Sequence, residues 1–197
     1  LHTLTKISAT GYLVAFITFC MRAGQFMSLP FLAIYLTRAG ILTQSQIGIV
    51  LGVSGFIFSL TGFVNGLYLD KKPQKISMVI SLFLSGLCYV SFTYSMHLFY
   101  GLVLLNIALG WFRSFIEISA ITMLVTNTQS ENLSYAFSVR FISANLGVVL
   151  GPLIGAFMAS HHSLFMFDIA CMINMGLGMI VYFYPENTQL PISNEQN

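Results

Sequence analysis

The sequence predicts an all-α integral membrane protein with six transmembrane helices, because its composition is strongly apolar and it contains six long apolar runs. Hydrophobic residues make up 56% of the 197 residues and charged residues only 7%, whereas a soluble domain carries about 25% charged residues. Mean hydropathy is +0.83. The net charge of +2 is too small for a nucleic-acid-binding protein. Disordered chains are poor in apolar residues, so disorder is excluded as well.

The six apolar runs each reach the roughly 20 residues that a helix needs to cross a bilayer. Short polar segments separate them, and none has the strictly alternating pattern over about 10 residues that is typical of a membrane β-barrel strand. The predicted spans are about 11–36, 46–69, 75–95, 98–125, 134–159 and 163–184. The predicted domains are a cytoplasmic N-terminus (1–10), the transmembrane domain (11–184) and a polar cytoplasmic tail (185–197).

Basic residues in the connecting segments predict the orientation of the spans. Lys71, Lys72 and Lys75 lie between the second and third spans, and Lys6 precedes the first span. The segments between the third and fourth spans and between the fifth and sixth contain no Lys or Arg. Positively charged loops stay on the cytoplasmic side. We therefore expect a multi-pass protein of the plasma or inner membrane with both termini in the cytoplasm.

Three charged side chains lie deep within predicted spans, namely Arg22 in the first span and Arg113 and Glu117 in the fourth. A charge at the bilayer centre costs roughly 2.5–3.5 kcal/mol even on insertion-derived scales, so such residues face a cavity or a partner. Arg113 and Glu117 are one helical turn apart and can form an ion pair. Two interpretations follow: a water-filled substrate path, or an internal salt bridge that only fixes helix packing.

Uncharged polar residues extend these positions into polar helix faces. Thr18 and Gln25 share one face of the first span with its arginine, and Asn106 lies within about 40° of the two charged residues of the fourth span. We expect these two faces to line a shared cavity, with the fourth-span carboxylate as the candidate proton carrier. The candidate residues for the cavity and for coupling are Arg22, Gln25, Asn106, Arg113 and Glu117.

Small residues form a stripe on the second span and another on the fifth. The second-span stripe falls within about 40° either side of one line and consists of Gly48, Gly52, Gly55, Ser59, Gly62 and Gly66. In the fifth span Gly147, Gly151 and Gly155 recur every four residues beside Pro152. Small residues allow helices to approach closely in lipid. The stripes predict either static packing faces or smooth surfaces along which helices slide.

One short motif suggests an enzyme. Gly52-Val53-Ser54-Gly55 matches the GxSG segment that holds the nucleophile of six-helix rhomboid-type intramembrane proteases. Such a serine needs a membrane-buried histidine as its base, and none of the four histidines lies deep in a predicted span. An intramembrane protease is therefore a remote alternative, and we expect no enzyme, no metal site and no cofactor.

The segment after the second span resembles the loop signature of the major facilitator superfamily, G-x-x-x-D-[RK]-x-G-[RK]-[RK]. The residues that match are Gly66, Asp70, Lys71 and Lys75, which the resemblance assigns to a gating loop. Pro73 stands where the family has Gly, and Gln74 replaces a basic residue.

A second resemblance lies in the fifth span, where residues 147–156 are similar to the antiporter signature G-x-x-x-G-P-x-x-G-G. Gly147, Gly151, Pro152 and Gly155 match, and Ala156 replaces the last Gly. The arginine and the asparagine that precede this run, Arg140 and Asn145, also fit. The fourth-span signature R-x-x-q-G is half present, because Gly110 matches while Asn106 replaces the Arg.

The resemblance implies a secondary transporter most similar to the drug:proton antiporters, moving small organic molecules in exchange for protons. Family members have twelve helices in two halves and bind substrate between them near the midplane; this chain corresponds to the N-terminal half. It is then a truncated product, a piece of a split gene, or a half-transporter that pairs with a second six-helix half or with itself. A non-transporting membrane subunit or a decayed gene product is the alternative.

Overall fold

Six helices make up nearly all of the computed structural model, which describes residues 8–69, 73–159 and 164–185. The helices are α1 (Ala9–Ala39), α2 (Gln44–Leu69), α3 (Gln74–Ser95), α4 (Phe99–Thr126), α5 (Ser130–Ala159) and α6 (Phe165–Phe183). All six are long and apolar enough to cross a bilayer, and these ranges contain no strand. The predicted all-α, six-helix membrane fold is confirmed. The residues of earlier predictions that lie outside the described ranges are Lys6, Asp70, Lys71, Lys72, His161, His162 and the tail beyond residue 185.

Polar turns set the ends of the first two helices. The hydroxyl oxygen of Ser8 accepts a hydrogen bond from the amide of Gly11 at 3.1 Å, and α1 ends at Gly40, whose φ of 65° is left-handed. Before α2, the side-chain oxygen of Gln46 accepts from the amide of Thr43 at 2.9 Å, while the Thr43 hydroxyl oxygen accepts from the Gln46 amide at 3.3 Å. This reciprocal pair is a capping box, which satisfies two otherwise unpaired amides.

The closest helix packing joins α1 to α5. Gly147, Gly151 and Gly155 face α1, and a Cβ atom added at each would lie 2.5 to 2.7 Å from a backbone carbonyl oxygen of α1. Only glycine permits two backbones to lie this close. The fifth-span stripe is therefore the face on which α5 packs closely against α1. Pro152 lies within α5, which continues through it to Ala159.

The stripe on α2 behaves differently from the one on α5. A Cβ atom added at Gly48, Gly52, Gly55 or Gly66 would have no neighbour within 4 Å. The close approach between α2 and α4 uses Gly110 of α4 instead, where an added Cβ would clash with the Ser54 carbonyl oxygen. Packing within this bundle is therefore the wrong interpretation of the second-span stripe. The reason is that α2 contacts α4 through a different face, which leaves most of its glycines exposed.

Two hydrophobic clusters lie toward opposite ends of the bundle. The cluster near the end of α1 contains Leu32, Phe92 and Phe167, all fully buried. The cluster near the start of α1 contains Val14 and Leu82, also fully buried. The polar residues of α1 and α4 lie between the two clusters. The interior of the bundle is therefore apolar toward both ends and polar at mid-depth.

We predict that Gly151→Ala destabilises the protein by about 1–3 kcal/mol, because the added methyl group overpacks the α1–α5 contact. The measurement is the free energy of unfolding in mixed micelles. Gly176→Ala on α6 is the matched control, because a Cβ atom there meets nothing within 4 Å; its stability stays equal or rises slightly through helix propensity. Equal effects of the two substitutions would contradict the observed packing.

Candidate functional site

A small crevice occupies the polar layer between the two hydrophobic clusters. Its cavity volume is about 20 Å³, which accommodates about one water molecule. The crevice is lined by Ile17, Thr18, Met21, Arg22, Gln25, Phe58, Arg113, Ile116, Glu117 and Ala120. The structure thus turns the polar faces of α1 and α4 toward a shared space, to which α2 adds Phe58.

Glu117 is held by guanidinium groups from two other helices. Its Oε1 accepts a hydrogen bond from Nη2 of Arg140 at 2.5 Å, and its Oε2 lies 3.5 Å from Nη2 of Arg22. The Glu117 and Arg22 side chains are each 27% exposed, and Arg140 is 12% exposed. The helices α1, α4 and α5 therefore meet at a single carboxylate.

Arg113 does not form the predicted ion pair with Glu117. Its Nη2 donates a hydrogen bond to Oε1 of Gln25 at 2.5 Å, and its guanidinium carbon lies 5.5 Å from the centre of the Phe58 ring. The prediction was wrong because the four-residue spacing shows only which residues of one helix can meet. Arginines from α1 and α5 contact the carboxylate of Glu117 instead, and α1 and α2 supply neutral partners for Arg113.

The charges of this layer do not cancel. Among the described residues, this layer contains three guanidinium groups, from Arg22, Arg113 and Arg140, and one carboxylate, that of Glu117, which leaves a formal excess of two positive charges. Arg113 is only 8% exposed, and its amide and ring partners stabilise it without neutralising it. The crevice is consequently electropositive at mid-depth.

Arg140 is the residue of this site that the sequence analysis did not assign to the cavity. The predicted fifth span began at residue 134, which placed this arginine near its start, whereas α5 begins at Ser130. A signal was present, because Arg140 lies about 20° from Gly147 around the helix at 100° per residue. It therefore shares the glycine face that packs on α1.

Asn106 is the candidate cavity residue that lies elsewhere. Its side chain is fully buried and does not line the crevice. Its amide nitrogen donates to the carbonyl oxygen of Leu102 at 3.0 Å, within its own helix. The expectation that this residue lines the cavity is corrected. Its angular position was right, but it lies two turns from the charged layer, inside the packed bundle.

The remaining candidates of the two signatures lie away from the crevice. The ammonium group of Lys75 donates to the carbonyl oxygen of Tyr184 at 2.7 Å, which joins the start of α3 to the end of α6. Gly66 lies on the open face of α2. Asn145 is exposed on α5, and its amide donates to the carbonyl oxygen of Phe141 at 2.8 Å.

The described residues contain no serine–histidine pair at the GxSG motif. Ser54 is 3% exposed, and its backbone packs against Gly110. His97, the one histidine within the described ranges, lies in the turn after α3, whereas this serine lies within α2. The geometry of Ser54 is that of a helix-packing position.

Comparison with known proteins identifies relatives along most of the chain. Residues 14–196 match the family model described as Major Facilitator Superfamily. The chain is 32% identical over 142 residues to the uncharacterized MFS-type transporter YqjV of Bacillus subtilis (strain 168), a match that covers 72% of this chain and 34% of that protein.

Two further relatives are similar at lower identity. Over 182 residues the chain is 25% identical to the multidrug resistance protein MdtG of Proteus mirabilis (strain HI4320), covering 89% of this chain and 45% of the relative. Over 143 residues it is 28% identical to the uncharacterized MFS-type transporter YdeE of Escherichia coli (strain K12), covering 68% of this chain and 34% of that protein. The chain thus spans less than half the length of these curated relatives.

We predict that Glu117 and Arg140 are energetically coupled. The double-mutant cycle compares Glu117→Gln, Arg140→Gln and the double variant. The double variant loses less stability than the sum of the two single losses, by about 0.5–3 kcal/mol. The physical reason is that Glu117→Gln leaves Arg140 without its carboxylate, while Arg140→Gln leaves Glu117 only its longer contact with Arg22. The measurement is the unfolding free energy in micelles, and additive losses would contradict the ion pair.

Proposed function

The chain belongs to the major facilitator superfamily, a transporter family of multi-pass membrane proteins, and we propose that it forms the N-terminal six-helix half of a secondary active transporter. In this proposal the crevice around Glu117 lies on the substrate path. Proteins of this architecture bind substrate between two six-helix halves near the membrane midplane. Arg113 lies at that depth, about 20 Å from either end of α4 at 1.5 Å per residue.

The observation that carries the proposal is the uncancelled charge at mid-depth. A salt bridge that only fixed packing would match its charges and bury both partners, because an unpaired charge in a membrane is costly. Here Arg22 and Glu117 keep 27% of their side chains exposed, and two of the three guanidinium groups lack a carboxylate of their own. This arrangement suits a binding site whose excess positive charge is balanced by a bound ligand.

Glu117 is the proposed proton carrier. Among the described residues the other carboxylates, Glu131 and Asp168, lie in the first turns of α5 and α6, so Glu117 is the one at mid-depth. Protonation would remove its attraction for Arg22 and Arg140 and so loosen the contact of α4 with α1 and α5. A proton could in this way change the packing of the helices that line the path.

The proposed direction of transport is export of small organic molecules. The proposed topology places both termini in the cytoplasm. Support for export comes from the relative MdtG, which is named a multidrug resistance protein. Support for the topology comes from the lysines between the second and third helices and the preference of basic loops for the cytoplasmic side.

We predict that Glu117→Gln reduces proton-driven transport by at least about tenfold, because the amide cannot exchange a proton at this site. Uptake of a panel of labelled organic compounds is measured in energised inverted vesicles that contain the complete protein, and variants are tested with the compounds that the wild type moves. Arg38→Gln at the exposed end of α1 is the matched control and retains transport. Unchanged transport by Glu117→Gln at equal expression would overturn the coupling role.

A further inference from the structure

We propose that the crevice binds the head group of an amphiphilic organic anion, a carboxylate or phosphonate attached to an apolar body. This inference rests on the proposed function and names the substrate class of the same site. It is carried by the charge balance, the free hydrogen-bond donors and the apolar walls of the crevice.

The charge balance favours an anion and opposes a cation. The carboxylate of Glu117 is already shared by Arg22 and Arg140, so it offers little attraction to a further positive group. A cation in the crevice would also face Arg113, which has no acidic partner among the described residues. Placing like charges together costs several kcal/mol, whereas an anion would neutralise part of the excess.

The hydrogen-bond donors of the crevice also favour an anion. A guanidinium group carries five N–H donors in a planar fork that fits a carboxylate or phosphonate with two parallel bonds. Arg113 uses Nη2 for the neutral oxygen of Gln25, and that amide can yield to a charged acceptor, which forms the stronger hydrogen bond. Nε of Arg140 is buried with no acceptor among the described residues. Donors therefore outnumber acceptors in this layer.

The walls of the crevice explain why the anion should carry an apolar body. Ile17 and Met21 of α1 and Ile116 and Ala120 of α4 line the space beside the charged groups, and Phe58 adds an aromatic ring. A fully hydrated inorganic anion would gain nothing from these side chains, whereas an organic body buries apolar surface against them. Charged and apolar side chains thus lie next to each other. Because the crevice as it stands holds about one water molecule, the head group enters when the Gln25 side chain leaves Arg113, and the apolar body lies against the apolar side chains at the mouth of the crevice.

The test uses four probes of similar size and different charge, titrated against the purified complete protein in phosphatidylcholine nanodiscs. The probes are phenylacetate, benzylphosphonate, phenylacetamide and phenethylammonium, and the readout is the rise in unfolding temperature with probe concentration. We expect the two anions to bind saturably, at least about tenfold more tightly than the neutral and cationic probes. Loss of one charge-assisted hydrogen bond corresponds to a factor of this size.

Variants show whether the anions bind in the crevice. Arg113→Gln weakens both anions at least about tenfold, while the matched control Arg38→Gln at the end of α1 leaves them unchanged. Arg22→Gln serves as the second variant if Arg113→Gln does not fold, because Arg22 is 27% exposed. Anion binding that is insensitive to the crevice variants overturns the inference.

A lipid head group shares the chemistry of the proposed ligand, and a second nanodisc composition separates the two sources. Phosphatidylglycerol at the surface produces a potential of about −30 mV, which repels a soluble anion by only about threefold. Retained phenylacetate binding within that factor supports a soluble anion. A loss of more than about tenfold identifies the lipid as occupant and overturns the inference.

The remaining outcomes separate this inference from the proposed function. If phenylacetamide or phenethylammonium binds as tightly as phenylacetate, and Arg113→Gln abolishes that binding, the anion class is wrong while the crevice remains a small-molecule site. If none of the four probes binds, the anion class is overturned, whereas the proposed function is decided by the transport measurement on Glu117→Gln.

Discussion

The contact of Glu117 with two arginines is the interaction on which the organisation of the bundle depends. It requires α1, α4 and α5 to approach one another at mid-depth, and the glycines of α5 make that possible. A Cβ atom at Gly147 would lie 2.9 Å from Cβ of Arg22 and 2.5 Å from the carbonyl oxygen of Phe19. The backbone contact therefore holds α1 and α5 together beside the carboxylate. The α1–α5 backbone contact and the ion pairs of Glu117 therefore depend on each other, because the loss of either would leave an ionic group facing lipid.

The layer that contains these charges is also the least apolar part of the interior. Hydrophobic clusters fill the bundle on both sides of it, and their burial stabilises the fold independently of the ionic groups. Arg113 reaches its neutral partners Gln25 and Phe58 within the same layer. A site built in this way can change its charge or its occupant while the ends of the bundle stay packed. That separation of stability from binding suits a transporter, whose central layer has to rearrange during each cycle.

The six helices could be predicted from the sequence because length and apolar composition determine them almost independently of tertiary contacts. The start of α5 was placed late because its first turn, with Glu131, is polar although helical. Arg140 lay within the predicted span but was assigned only to the antiporter-like signature, not to the cavity. Helical spacing correctly placed Arg22, Gln25, Arg113 and Glu117 on faces that meet. It could not show that Glu117 pairs across helices, nor that the α2 glycines lie on an exposed face, because both depend on which helices are neighbours. The family signatures marked Gly147, Gly151 and Gly155, whose role in the structure is close packing against α1.

The most direct test of a hydrated, positively charged crevice is the rate at which charged thiol reagents modify a single cysteine within it. In a background without Cys20, Cys88 and Cys171, Met21→Cys lies in the crevice, whereas Leu87→Cys lies at similar depth on the exposed surface of α3. Rates with a sulfonate-bearing and a trimethylammonium-bearing methanethiosulfonate are each divided by the rate with a free thiol in water. We predict that the crevice cysteine reacts, that the anionic reagent has the higher relative rate, and that the α3 cysteine reacts with neither. An unreactive crevice cysteine, or one that prefers the cationic reagent, would contradict the account.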